Sequence, residues 1–124
     1  MITNTSMAHL PGAPSAQLGE SIPRKNSETA GQVEWVSELW ESPTGVARTG
    51  IWQASPGTFK GARVGALEIC YIISGSATIV SDDGQETRVE PGSLFALPAG
   101  WTGVWHVHEM IRKAYVGVLE ADGS

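Results

Sequence analysis

The run Glu68–Ile73 reads Glu-Ile-Cys-Tyr-Ile-Ile and is apolar at almost every position. Side chains alternate across a strand, so a short run apolar on both faces is covered on both faces. If Glu68, Cys70 and Ile72 face one way, Ile69, Tyr71 and Ile73 face the other. Further strand-like runs follow at 76–81, 85–90, 93–97, 104–107 and 113–119. Turn signals separate them: Ser55-Pro56-Gly57, Ser74-Gly75, Asp82-Asp83-Gly84, Pro91-Gly92 and Pro98-Ala99-Gly100. From Gly50 onward the pattern predicts seven or eight short strands, hence an all-β sandwich or barrel.

The chain before Gly50 is less regular. Val33, Val36, Leu39 and Trp40 fall at helical spacing, but Trp35 breaks it. A short helix and an extended segment both fit. Residues 1–30 are rich in Ser, Thr, Ala, Gly and Pro. They read as a flexible N-terminal arm, or as a strand that orders only against a partner. Residues 31–124 then form a single domain, the expected size for one core.

Composition narrows the function. Hydrophobic residues make up 41% and charged residues 17%, which describes a globular chain. The net charge is −5 and no basic cluster exists, so no nucleic-acid partner is expected. No run approaches the ~20 apolar residues of a membrane-spanning helix. The N-terminus lacks the basic start and apolar stretch of a signal peptide, so a soluble, cytoplasmic protein is expected. Cys70 is the only cysteine, which excludes an internal disulfide and a site built on several thiolates.

Two spacings carry a family likeness. Glu68 followed by Gly75, and Gly92 followed by Pro98 and Gly100, resemble parts of the two cupin motifs. The resemblance covers about residues 45–120 and implies an RmlC-like jelly-roll barrel, the double-stranded β-helix of cupins. Gly50–Phe59, the stretch Pro98–Val104 with Trp105, and His108–Tyr115 resemble the short cupins related to (S)-ureidoglycine aminohydrolase. Those aminohydrolases are manganese enzymes. Typical cupins hold a metal with two His and a Glu from the first motif and one His from the second. Here Gly61-Ala62-Arg63-Val64 stands where the first two histidines belong, and Gly103 aligns with the third. Only Glu68 remains, and one carboxylate does not make a transition-metal site. No metal or other cofactor is therefore expected.

Strand alternation from Gly103 turns Trp105 and Val107 inward and His106 and His108 outward, unless a bulge reverses the order. His9 lies in the arm. Trp105 would fill part of the space a metal uses. Glu68 becomes an inward carboxylate that needs a partner, from Trp105 N–H, Tyr115 O–H, Lys113 or Arg63. It either anchors a ligand amine or hydroxyl, acts as a general acid or base, or serves as a structural carboxylate. Cys70 also points inward, and a buried free thiol is usually an inert hydrophobe. Lys113 and Tyr115 either line the pocket or join a structural latch, and Glu109 with Arg112 is expected to form such a latch. Trp101 follows a turn and forms a lip over the cavity. Trp52 and Phe59 belong to the core.

The sequence thus predicts a small cupin that binds a small molecule without a metal. A metal-dependent, aminohydrolase-like enzyme with atypical ligands and a non-catalytic interaction module remain alternatives. A homodimer is expected, because the outer face of Glu68–Ile73 needs a cover.

Overall fold

The computed structural model describes residues 6–120. The first residues of the expected arm, and the last four of the domain, lie outside the described residues. A 3-10 turn at Ala13–Ser15 precedes eight strands. These are β1 (Ile22–Pro23), β2 (Val33–Glu41), β3 (Ala47–Ala54), β4 (Gly57–Ala62), β5 (Ala66–Ser81), β6 (Glu86–Val89), β7 (Leu94–Leu97) and β8 (Thr102–Leu119). Every pairing between them is antiparallel. Apart from the 3-10 turn, the regular structure of the described residues is all strand.

The long strands β5 and β8 organise the barrel. They pair with each other along nearly their whole length. The first half of β5 also pairs with β7, and its second half with β6. The first half of β8 pairs with β4, and its second half with β3. Each long strand therefore passes from one layer of the roll to the other, as strands at the corners of such folds do.

Ser74-Gly75, read from sequence as a turn between two strands, is instead an irregularity inside β5, where the register against β8 shifts between Ile72 and Ala77. Gly75 has φ +81°, and a Cβ there would collide with the Met110 carbonyl oxygen. One extra residue flips the parity of β5. Glu68, Cys70 and Ile72 face inward before it, and Ala77 and Ile79 after it.

Val33–Trp40 is strand, not helix, because its pairing with β3 overrides the helical spacing. The preceding segment is laid on the barrel. β1 pairs with the start of β2, and the backbone of residues 26–28 bonds to β4. Arg112 donates to the Ala13 carbonyl at 2.8 Å and to Gln53 Oε1 at 2.9 Å. The expected Glu109–Arg112 latch does not form among the described residues. β8 stays extended through both positions, so residues three apart face opposite sides. Glu109 accepts from Ser76 Oγ instead.

Trp52, Phe59, Ile72, Ile79, Trp105 and Ile111 form the centre of the core. No helix among the described residues is long and apolar enough to cross a membrane.

Candidate functional site

Register places the key side chains. Glu68 lies opposite Gly117 on β8, Cys70 opposite Tyr115 and Ile72 opposite Lys113. Directly opposed residues share a face, so Glu68, Cys70, Lys113 and Tyr115 all enter the barrel. Lys113 is also opposite Trp52 on β3, and Trp105 is opposite Phe59 on β4. Glycine at 117 leaves room beside Glu68 for the longer side chains.

Glu68 is the hub of this interior. Its Oε1 accepts from Lys113 Nζ at 2.6 Å and from the Cys70 thiol at 3.1 Å. Its Oε2 accepts from Arg63 Nη1 at 3.0 Å. Burial alone would raise the Glu68 carboxyl, but the charge and hydrogen bond of Lys113, and then the charge of Arg63, outweigh it. The group is held below the ordinary carboxylate range. Of the four expected partners, Lys113 and Arg63 bind Glu68. The Trp105 and Tyr115 donors do not bond to it.

Lys113 is 6% exposed. Its Nζ lies 4.6 Å from the Trp52 ring centre and 4.8 Å from that of Trp105. Two π faces and one carboxylate thus compensate a buried ammonium. Phe59 stacks on Trp105 at 5.8 Å, and both Phe59 and Trp105 meet Trp52 edge to face. Trp52 and Phe59 belong to the core as expected, and they also form the cavity wall.

A cavity of about 420 Å³ opens beside this cluster. Arg63, Glu68, Trp101, Trp105, Lys113 and Tyr115 all line it. Cys70 does not. It lies behind Glu68, fully buried, and burial above all pushes its thiol up to about 12. A thiol at that value is not an activated nucleophile at neutral pH. Burial, and then the charges of Glu38 and Glu68, raise the Tyr115 phenol. Tyr115 therefore stays protonated and can donate.

Sequence reasoning missed Arg24 and Glu34, which also line the cavity. Arg24 Nη1 donates to Glu34 Oε1 at 3.2 Å, and its guanidinium lies 4.1 Å above the Phe59 ring. Trp52 Nε1 donates to the same Glu34 oxygen at 2.8 Å. Arg24 belongs to the segment read as a flexible arm, and only the β1–β2 pairing brings it here. Glu34 lies in the segment whose pattern fits both helix and strand, so the sequence alone does not fix which way it faces.

Gly61, which opens the stretch where the resemblance puts the first-motif ligands, is the register partner of Gly103, which aligns with the second-motif ligand. Trp101 fills the space between them. A Cβ at Gly103 would lie 2.5 Å from the Trp101 ring and 2.5 Å from the Val80 carbonyl oxygen. A Cβ at Gly61 would meet Trp101 at 3.4 Å and Trp105 at 3.6 Å. The filling role expected of Trp105 thus falls mainly to Trp101, which donates to Ser81 Oγ at 2.9 Å. The Pro98–Trp101 turn is tied by Gly100 N and Trp101 O to the backbone of Arg63. Trp101 and Arg63 are therefore held together at the mouth.

A metal does not fit these residues. The carboxylate that would bind it is already engaged by two cations and a thiol. No group of three or more His, Cys, Asp or Glu side chains converges among the described residues. His106 Nδ1 lies 3.0 Å from Thr58 Oγ1, and His108 Nε2 lies 2.8 Å from Thr78 Oγ1. Both histidines sit on the outer face, opposite to Gly103, Trp105 and Val107.

The model of the EutQ-like cupin domain matches residues 41–115. No curated protein matches the chain. The EutQ protein of Clostridium difficile is similar in structure, with a TM-score of 0.65 and 24% identity over 80% of this chain and 72% of that one. A putative ethanolamine utilization protein Q of Salmonella typhimurium also scores 0.65, at 16% identity over 80% and 78%. A DUF861 family protein of Thermotoga maritima is 32% identical over 52% of this chain and 73% of that one, with a TM-score of 0.50.

Proposed function

The chain belongs to the EutQ-like cupin domain family, and on that premise we propose that it is a small-molecule-binding cupin that works without a metal. The carrying observation is the engagement of Glu68 by Lys113, Arg63 and Cys70 beside an aromatic-walled cavity of about 420 Å³. That volume falls in the range of small-molecule pockets, about 300–1,000 Å³. The wall supplies apolar contact area, and the charged groups at its floor and rim supply orientation.

The aminohydrolase-like reading is less well supported. It requires several metal ligands around Glu68, whereas Gly61-Ala62-Arg63-Val64 and Gly103 hold no histidine and Trp101 packs against Gly61 and Gly103. General acid–base work by Glu68 is also disfavoured, since its partners hold it ionised and occupied.

The test is ligand-observed NMR with a chemically broad set of small molecules, on protein treated with a chelator. The expected result is binding that survives chelation and is lost when Trp105→Ala opens the wall. Binding only after a divalent metal is added back would reject the proposal.

A further inference from the structure

Both cavity carboxylates are engaged by cations, while several cavity donors have no partner among the described residues. Both oxygens of Glu68 already accept. Glu34 accepts from Arg24 and from Trp52. A ligand amine would meet carboxylates already engaged by cations. The donors are only partly used. Arg63 spends Nη1 on Glu68 and Nε on the Ala62 carbonyl, and among the described residues its Nη2 has no protein partner. Arg24 spends Nη1 on Glu34, and its Nε is buried without a partner. Tyr115 keeps its proton.

Charge points the same way. Arg24, Arg63 and Lys113 line the cavity against Glu34 and Glu68, an excess of one positive charge, and Arg48 lines it while paired with Glu38 and Glu41. The whole chain carries −5, so the cavity reverses the sign of the molecule around it. A cleft with low-dielectric walls concentrates such a field. Trp52, Phe59, Trp101 and Trp105 supply flat apolar faces beside it.

We infer that the cavity takes a small organic carboxylate with a planar apolar body, its head group held by the open edge of Arg63 and its body against the Trp105 and Trp52 rings. A guanidinium presents its N–H groups in a fork that matches a carboxylate. The 33% exposure of the Arg63 side chain leaves that fork reachable from the mouth. The inference rests on the small-molecule reading above and specifies its chemistry.

Three probes of nearly equal shape decide it: 3-phenylpropanoate, its primary amide, and 3-phenylpropylamine. They are titrated into the wild-type protein at pH 7.5, with calorimetry and the indole N–H resonances as readouts. The acid is expected to bind at least about tenfold more tightly than the amide, as a charge-assisted hydrogen bond implies. The amine is expected not to shift the indole signals. Arg63→Met should remove the preference for acid over amide, while Arg63→Lys, which keeps a cation beside Glu68, should reduce it only in part. Equal binding of acid and amide, or tighter binding of the amine, overturns the carboxylate inference and leaves the small-molecule reading standing. If no member of the broad ligand set binds either, both fall.

Discussion

Lys113 Nζ lies 2.6 Å from Glu68 Oε1, with the rings of Trp52 and Trp105 at 4.6 and 4.8 Å on either side. The two charges are buried together, so removing one strands the other. Glu68→Ala is expected to destabilise the fold by about 3–5 kcal/mol, the usual cost of breaking a buried pair. The double change Glu68→Met with Lys113→Met should recover much of that loss, since an apolar replacement strands no charge. Urea unfolding of the single and double variants checks the coupling. Purely additive losses would show that the two groups do not depend on each other.

The same pair sets a pH dependence. The Glu68 carboxyl lies lower in the folded chain than its ordinary value of 4.5. The unfolded chain therefore takes up the proton first as pH falls. The stabilisation from Glu68 is fully present above the ordinary value and is lost as pH drops through the lowered one. Unfolding free energy measured from pH 7 to pH 3 should fall more steeply in the wild type than in Glu68→Gln. Equal slopes would contradict this.

Cys70 should be silent in the native protein. Its thiol is fully buried and raised to about 12. Iodoacetamide at pH 7.5 is expected to leave it unmodified in buffer and to label it fully in urea, as mass spectrometry would record. Rapid native labelling would require an opening that exposes the interior behind Glu68.

Glycines 61 and 103 are register partners but should respond differently to a methyl group. At Gly103 the new atom meets the Val80 backbone and the Trp101 ring at 2.5 Å. Gly103→Ala is expected to cost about 1–3 kcal/mol, the range for overpacking. At Gly61 the nearest atom is 3.4 Å away, on a side chain. Gly61→Ala should cost less than about 1 kcal/mol, as a near-neutral change does. Thermal melts of the two variants give the order directly.

The outer face is the last case. Ile69 and Tyr71 on β5 lie beside Leu94 on β7 and Val116 on β8, and all four are exposed, Leu94 at 71% and Tyr71 at 47%. The N-terminal segment reaches Arg112 through Ala13 and leaves these side chains open. We expect a second copy of the chain to cover them, because exposed apolar faces of this kind mark contact sites and twofold pairing is the commonest assembly. Light scattering at micromolar concentration should give twice the chain mass, and Tyr71→Asp with Leu94→Asp should give one. A wild-type monomer would contradict the expectation.

Much of the fold was legible because a strand's period is two and turns need particular residues. The alternation in Glu68–Ile73 already turned Glu68 inward and Tyr71 outward, and the Gly103 parity turned Trp105 inward and His106 outward. That no histidine stands in Gly61–Val64 or at Gly103, where the resemblance puts metal ligands, is read from the sequence alone. The extent of β5 and β8 was not legible. A glycine that breaks a strand and one that bends it look alike in sequence, and only the Met110 carbonyl packed against Gly75 separates them.

The chemistry of the site depended on contacts between distant segments. Sequence alternation determined that one carboxylate enters a barrel without its usual metal ligands, because side-chain direction is a local property of an extended chain. It could not decide whether that carboxylate was free. Glu68 lies 45 residues from Lys113, and Arg24 reaches Phe59 from outside the barrel strands. Hydrogen bonds and charges add up in space, not along the chain. Only the folded arrangement shows Glu68 paired with two cations, the arginine edges unspent, and Trp101 seated over Gly103.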